Sequence, residues 1–282
     1  MTKTCEMLLN LEGFQYATSL DLKTGYYHIR LIKKASNLCM IILTWVKYQY
    51  KRLPIGVRNT PDIFLEKMNE MFRGFEIIQA YIDNILIITK GYWSNHLEQL
   101  ELTIKKLKDN GLKCNIENDF FGQIEMEYLG FWVTRTGIRP INKKVEAIVN
   151  TKLPNNTKYV SQLIGIVNYY RDMWAKRSHL IHPLTSLTSH KVRFKCADAE
   201  QKAFDDIMRA VSQDTLLAYT DFNERFDIHT DARYYQLVAV MIQNRKNIDY
   251  HSRKLTGPQT RYTVMEKEFL SIVETLKEFR TI

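Results

Sequence analysis

The sequence predicts an α+β fold with a largely antiparallel sheet, a helical segment after it, and a second strand-and-helix region at the end. Three observations carry this. Up to residue 140 the patterns run strand, strands, helix, hairpin, helix, hairpin, an order that suits an antiparallel sheet packed with helices. Residues 141–190 hold only helical periodicity. Residues 191–282 hold three strand-like runs followed by one long amphipathic helix.

Residues 1–13 are weakly patterned, with Met7-Leu8-Leu9-Asn10-Leu11 as a possible helix end. Tyr16 to Leu22 reads as a strand, and Asp21 within it is an acid flanked by leucines. Such a carboxylate is costly to bury unless it is paired or metal-bound. After the Lys23-Thr24-Gly25 turn, Tyr26 to Leu31 alternates as a strand would. Leu38 to Val46 and Tyr48 to Leu53 read as two further strands. Pro54 to Pro61 is a connector, and Pro61 suits the first turn of a helix whose apolar face is Phe64, Met68, Met71 and Phe72.

The next stretch, Tyr81-Ile82-Asp83-Asn84-Ile85-Leu86-Ile87-Ile88, has a polar pair between apolar runs and reads as a hairpin with Asp83-Asn84 at its tip. Asp and Asn are ordinary turn formers. The sharper reading makes Asp83 a metal-binding carboxylate. Ser94 is a candidate cap for a helix with Leu97, Leu100, Ile104 and Leu107 on its stripe, ending near Gly111. Tyr128 to Thr134 and Gly137 to Pro140 read as a hairpin.

Beyond Pro140 come a short helix, Lys143 to Val149, and a longer one with Val160, Leu163, Ile164 and Val167 in register. His182-Pro183 and Ser186 to Ser189 mark a boundary, and Phe204, Ile207, Met208 and Val211 line the next helix. Strands are expected at Phe226 to Ala232, Leu237 to Ile242 and Ile248 to Ser252. The closing helix carries an apolar stripe of Phe269, Ile272, Val273, Leu276 and Phe279.

The 282 residues carry a formal charge of +9. Residues 191–282 hold 15 basic and 14 acidic side chains, so the excess of +8 lies in the first two thirds. That distribution suits a polyanionic partner such as nucleic acid. No apolar run reaches the ~18 residues of a membrane span, and Met1 to Glu6 starts no secretory signal. The expected setting is intracellular, cytoplasmic or nuclear. The four cysteines form no Cys-x-x-Cys pair, which argues against zinc or redox chemistry. Asp21 and Asp83, at strand ends of one antiparallel sheet, could together hold a pair of divalent cations for phosphoryl transfer. Hard oxygen ligands suit Mg²⁺.

Ser19-Leu20-Asp21-Leu22-Lys23-Thr24-Gly25-Tyr26-Tyr27-His28-Ile29 resembles the first catalytic strand of reverse transcriptases of gypsy-like long-terminal-repeat retrotransposons. Leu53-Pro54-Ile55-Gly56 with Asn59-Thr60-Pro61-Asp62-Ile63-Phe64 resembles that family's LPMG-x-x-NSPDIF segment. Tyr81-Ile82-Asp83-Asn84 is similar to its YIDD motif in three of four positions. Tyr128-Leu129-Gly130-Phe131 resembles the hairpin that grips the primer end. Ile164-Gly165 with Val167 to Arg171, and Pro183-Leu184-Thr185, resemble the thumb and connection. His229-Thr230-Asp231-Ala232 and Tyr262-Thr263 with Glu266-Lys267-Glu268 resemble the first half of an RNase H domain.

The resemblance implies a polymerase palm with residual fingers at 1–140, a thumb or connection at 141–190 and a partial RNase H-like domain at 191–282. It implies RNA-directed DNA synthesis on a template–primer from deoxynucleoside triphosphates, with two Mg²⁺ (or Mn²⁺) per site. Asp21 and Asp83 would ligate both metals. Tyr26 would underlie the nucleotide sugar, although it also reads as a sheet-packing tyrosine. Ile55 and Gly56 would line the nucleotide pocket. Asp231 and Glu268 would be RNase H metal ligands, with Glu266 facing solvent.

The sequence departs from the family pattern in places. Asn84 stands where a third carboxylate is expected, Arg233 where Ser is usual and Val238 where Gly is usual. Residues 1–15 hold no counterpart of the finger strands with their triphosphate-binding cations, and the later RNase H acids have no counterpart before Ile282. A second reading is therefore a nucleic-acid-binding retrotransposon remnant without catalysis.

Overall fold

The computed structural model describes residues 4–281 apart from 10, 76, 190–193 and 214. The expected boundary at 190/191 falls outside them. The fold is α+β, and the chain divides into two compact units, one of Gly13–Met126 and one of Thr2–Glu12 with Glu127–Ile282. Among the described residues no helix is long and apolar enough to cross a membrane.

The chain starts with α1 (Thr4–Leu9), which belongs to the second unit. The first unit begins with β1 (Tyr16–Asp21), whose four central residues are all buried. The predicted strand over Tyr26 to Leu31 is instead a 3-10 turn, Gly25–His28, entered through Thr24 at φ 54°. A Cβ on Gly25 would lie 2.7 Å from Cζ of Phe64, so the glycine lets this turn press on the core. The two long strands expected over 38–53 are also absent. A short helix, α2 (Lys33–Leu38), is followed by three-residue strands β2 (Met40–Ile42) and β3 (Lys47–Gln49). These pair with each other and stay exposed, so apolar alternation there reflects no buried face.

Helix α3 (Thr60–Met71) has Pro61 in its first turn and buries Phe64, Met68 and Phe72, as its spacing predicts. Then β4 (Ile78–Tyr81) and β5 (Asn84–Thr89) form the hairpin. Tyr81 pairs with Asn84, so the tip is Ile82-Asp83, one residue earlier than the predicted Asp83-Asn84. Ile82 has φ +55°, left-handed backbone that a β-branched residue adopts only at a cost of about 1–3 kcal/mol.

Helix α4 (Trp93–Asp109) lacks a side-chain cap from Ser94; its N-cap position is Tyr92. Its buried face is His96, Thr103 and Leu107, whereas Leu97 and Ile104 are exposed. The predicted stripe is rotated because a histidine takes a place that hydrophobicity would give to leucine. His96, at 0% exposure, joins α4 to the sheet: Nε2 lies 2.7 Å from Thr18 Oγ1 on β1 and Nδ1 lies 2.8 Å from Thr89 Oγ1 on β5. With β6 (Phe120–Gln123) the sheet order is β4-β5-β1-β6. Leu20, Leu22, Ile85, Ile87, Phe64 and Leu107 meet in the core beneath it.

In the second unit, β7 (Met126–Tyr128), β8 (Phe131–Thr134) and β9 (Gly137–Pro140) form a three-stranded sheet. A Cβ on Gly137 would meet the Leu217 carbonyl oxygen at 2.1 Å, at a point where the two backbones exchange hydrogen bonds. Helices α5 (Asn142–Val149) and α6 (Thr157–Tyr169) follow as predicted. Pro183 sits inside α7 (Arg177–Ser186) instead of marking a chain break, and α8 (Asp198–Val211) buries Phe204, Ile207 and Val211.

The last sheet pairs β10 (Asp227–Arg233), β11 (Gln236–Gln243) and β12 (Lys246–Lys254) antiparallel in that order. Helix α9 (Val264–Glu278) starts with a Thr263–Glu266 capping box, which leaves Glu266 exposed. Its sheet-facing side is Ser271 and Thr275, and Arg253–Glu274 (3.2 Å) ties it to β12. The predicted stripe is not the packed side: Phe269 is 66% exposed, and Ile272, Val273 and Leu276 are exposed with it, while Phe279 is buried. Periodicity finds an apolar face but not the neighbour that covers it.

Burial holds the His96 imidazole below its usual range. The unfolded chain therefore binds a proton that the fold refuses, so this contribution is complete above about pH 6.5 and is lost as pH falls from there toward the folded value. Thermal unfolding followed from about pH 7.5 to 5.5 is expected to show a steeper loss of Tm for the native chain than for His96→Gln. Equal slopes would show that His96 is not the titrating group.

Candidate active site

β1 and β5 pair in a register that sets Asp21 opposite Asn84, with Leu20 opposite Ile85. Leu22 N–H donates to the Asp83 carbonyl at 2.8 Å, so the hairpin tip is stitched to the residue after Asp21. On the other side, Asn115 N–H donates to the Asp21 carbonyl at 2.7 Å and Lys23 N–H to the Lys113 carbonyl at 2.8 Å. The end of β1 is thus clamped from both flanks, and Asp21 and Asp83 are brought together with Asn84.

Asp21 Oδ2 accepts from Asn118 Nδ2 at 2.9 Å, and Asp83 Oδ1 accepts from Asn84 Nδ2 at 3.3 Å. Among the described residues no basic side chain forms an ion pair with Asp21 or Asp83. Burial pushes the Asp83 carboxyl up, and the Asp21 charge pushes the same way. The Cys114 thiol is pushed up to about 11, first by burial and then by Asp119 and Asp21. Tyr26 is raised by burial and by Asp83, which places its ring in the same field; the ring also packs on Phe64, 5.1 Å between centroids. The site is a cluster of carboxylates that no cationic side chain pairs among the described residues.

Asp119 was not a sequence candidate. Its Oδ1 accepts the Asp21 backbone N–H at 2.7 Å, and burial, with Asp21, raises its carboxyl. It is about a hundred residues from Asp21 in sequence, and only the polar run Asn115 to Asp119 between α4 and β6 hints at it. Ile55 is 65% exposed, and nothing lies within 4 Å of a Cβ built on Gly56.

In the second unit, Asp231 is on β10 and Glu268 is on α9, one turn before Ser271. Ser271 Oγ donates to the Asp231 carbonyl at 3.4 Å, so Glu268 lies on the side of α9 that faces β10. The Asp231 carboxylate is taken by Arg233 Nε at 3.0 Å.

Among the described residues no three His, Cys, Asp or Glu side chains are arranged to hold a metal ion. The first unit offers instead a pair, Asp21 and Asp83, with Asn84 beside it. Two mutually repelling carboxylates without a cationic partner fit a divalent cation bound by hard oxygen, and a neutral amide in the third place weakens that fit.

The family profile described as "Reverse transcriptase (RNA-dependent DNA polymerase)" matches residues 2–133, and "RNase H-like domain found in reverse transcriptase" matches 197–282. The Pol polyprotein of transposon 297 from Drosophila melanogaster is 31% identical over 98% of this chain, and that of transposon opus is 30% identical over 97%. The chain spans 26% and 29% of their lengths. The foamy viral protease–reverse transcriptase solved with an RNA/DNA hybrid superposes with a TM-score of 0.90 at 23% identity, covering 99% of this chain and 38% of that one. This chain belongs to the reverse transcriptase and RNase H family of gypsy-like long-terminal-repeat retrotransposon Pol polyproteins. Divalent metals are general to that family.

Because the Asp83 carboxyl is raised, its ionised form destabilises the fold at neutral pH. Asp83→Asn is expected to raise Tm in metal-free buffer and to abolish any rise in Tm on adding Mg²⁺. A Mg²⁺-dependent rise that survives Asp83→Asn would place the cation elsewhere.

Proposed function

We propose that this chain is the palm, connection and RNase H-like part of an RNA-directed DNA polymerase, acting on an RNA or DNA template–primer with deoxynucleoside triphosphates. The observation that carries this is the pair Asp21 and Asp83, clamped side by side without a basic partner at the end of the central strands. The foamy viral neighbours bound to RNA/DNA hybrid and to double-stranded DNA support a duplex as partner. The basic excess outside residues 191–282 supports it as well.

The reaction joins the primer 3′-hydroxyl oxygen to the α-phosphorus of the triphosphate, breaks the bond to the bridging oxygen, and releases pyrophosphate. Two Mg²⁺, held by Asp21 and Asp83, would lower the pKa of that hydroxyl and offset charge on the leaving oxygen. Asp21 and Asp83 are the metal ligands in this reading. Tyr26, beside Asp83, is the ring under the sugar, and Ile55 and Gly56 belong to the nucleotide pocket. Asp231 and Glu268 are the metal-binding acids of the RNase H half. Residues 1–140, 141–190 and 191–282 are palm, connection and RNase H-like parts.

Two side chains favour a second reading, a catalytically degenerate remnant that binds template–primer without turning it over. Asn84 removes one formal negative charge from the metal site. Arg233 occupies the carboxylate of Asp231, where a metal would sit. Loss of a supporting partner at a metal site typically costs about 10–100-fold in affinity or activity.

Primer extension on an RNA template with Mg²⁺ or Mn²⁺ separates the readings. The polymerase reading expects extension that Asp83→Ala abolishes and Asn84→Asp raises by about tenfold or more. Product that is unchanged in Asp83→Ala would refute the assigned site. The remnant reading expects no extension in any variant, together with hybrid binding that weakens steeply with salt as phosphate contacts release counterions.

A further inference from the structure

Asp21 is held by more than its place in β1. Backbone groups of successive residues in an antiparallel strand bond to opposite neighbours. Leu22 N–H bonds toward β5, at the Asp83 carbonyl, so the N–H and C=O of Asp21 face the other edge. On that edge β6 begins at Phe120, opposite Ser19, and the ladder stops short of Asp21. The segment Asn115 to Asp119 takes its place. Asn115 N–H donates to the Asp21 carbonyl at 2.7 Å, and Asp119 Oδ1 accepts the Asp21 N–H at 2.7 Å. A side-chain carboxylate thus does what a strand carbonyl does elsewhere in the sheet.

The same segment holds the Asp21 carboxylate. Ile116–Asn118 is a 3-10 turn, and Asn118 N–H closes it on the Asn115 carbonyl at 2.9 Å. Three residues per turn set side chains i and i+3 one above the other, so Asn115 and Asn118 face the same way. Both amides reach Asp21 Oδ2, Asn118 Nδ2 at 2.9 Å and Asn115 Nδ2 at 3.5 Å. Oδ1 of Asp21 accepts no hydrogen bond from a described residue. The N–H, the C=O and Oδ2 of Asp21 all bond to one short segment, and Oδ1 alone is left open.

The chemistry of the holding groups matters. A lysine or arginine in place of Asn118 would orient the carboxylate equally well and cancel the charge that attracts a cation. A neutral amide donor orients it and leaves the charge in place. A cation that meets a freely rotating carboxylate has to order it on binding, whereas one that meets a carboxylate already fixed by the fold does not.

We infer that Asn118 and Asp119 are positioning residues for Asp21: Asp119 fixes its backbone and Asn118 its carboxylate, so that Oδ1 is presented to a divalent cation. Neither residue is itself a cation ligand in this assignment. The inference rests on the reading of Asp21 and Asp83 as the cation ligands.

Mn²⁺ binding to the whole chain, read from the loss of the free-ion electron paramagnetic resonance signal, tests it without requiring turnover. Asn118→Ala and Asp119→Ala are each expected to weaken binding by about tenfold or more, the size of a lost supporting partner at a metal site. Asp119→Asn keeps an acceptor for the Asp21 N–H and is expected to restore near-native affinity. Asn118 is exposed, so its truncation leaves the core intact, and Tm in metal-free buffer confirms that each variant is folded at the binding temperature.

Native affinity in either alanine variant, or an Asp119→Asn chain as weak as Asp119→Ala, would overturn the inference. Asp83→Ala separates it from the reading beneath it. Binding lost in Asp83→Ala but unchanged in the two alanine variants sinks the positioning role alone. Binding that survives Asp83→Ala, or a native chain that takes up no Mn²⁺, refutes the Asp21–Asp83 site and the positioning role with it.

Discussion

The pairing of β1 with β5 is the interaction on which the first unit turns. Side chains alternate along a strand, so the register that sets Asp21 opposite Asn84 also sends Leu20, Leu22, Ile85 and Ile87 into one core. A slip by one residue would turn Asp21 into the face that holds Leu20, Leu22, Ile85 and Ile87 and carry those leucines to the opposite face, which Leu86 and Ile88 already fill. The same ladder brings the Ile82-Asp83 turn to the end of β1, where the Leu22 amide fastens it. Core packing and carboxylate placement are therefore one constraint, and neither can be relaxed without the other.

This constraint concentrates unfavourable terms at one end of the sheet. Ile82 holds a backbone conformation it does not favour, and the carboxyls of Asp83 and Asp119 and the Cys114 thiol are raised first by burial and then by the neighbouring carboxylates. Stabilising contacts gather at the other end, where His96 bridges Thr18 and Thr89 and stacks on Trp93 at 5.5 Å. A site that binds cations has to be built from groups that repel until the cation arrives, and the packed end of the sheet supplies the rigidity that holds them there.

The sequence made legible what depends on short periods and local chemistry. β1, β5, α3, α8 and the strands around Asp231 follow from alternation, helical spacing or turn residues, and the acids Asp21 and Asp83 follow from carboxylates in apolar surroundings. What failed needed knowledge of neighbours. The Tyr26 to Leu31 alternation became a 3-10 turn because Gly25 packs against Phe64, thirty-nine positions away. The hairpin tip moved by one residue because the β1 register, not turn propensity, fixes it. Helix α4 turned its face to admit His96, whose partners lie on two strands. Asp119 meets Asp21 across nearly a hundred residues, and Lys176 and Arg233 line one cavity from 57 residues apart. No local pattern encodes either meeting.

Helix α9 seats Ser271 and Thr275 on its sheet and turns Phe269, Ile272, Val273 and Leu276 to water. Small side chains at the seat let the helix lie close, so its anchoring comes from shape and from the Arg253–Glu274 pair more than from grease. The consequence is colloidal. The unit can be well folded and still self-associate as its concentration rises, through a surface whose attraction strengthens on warming and is not screened by salt.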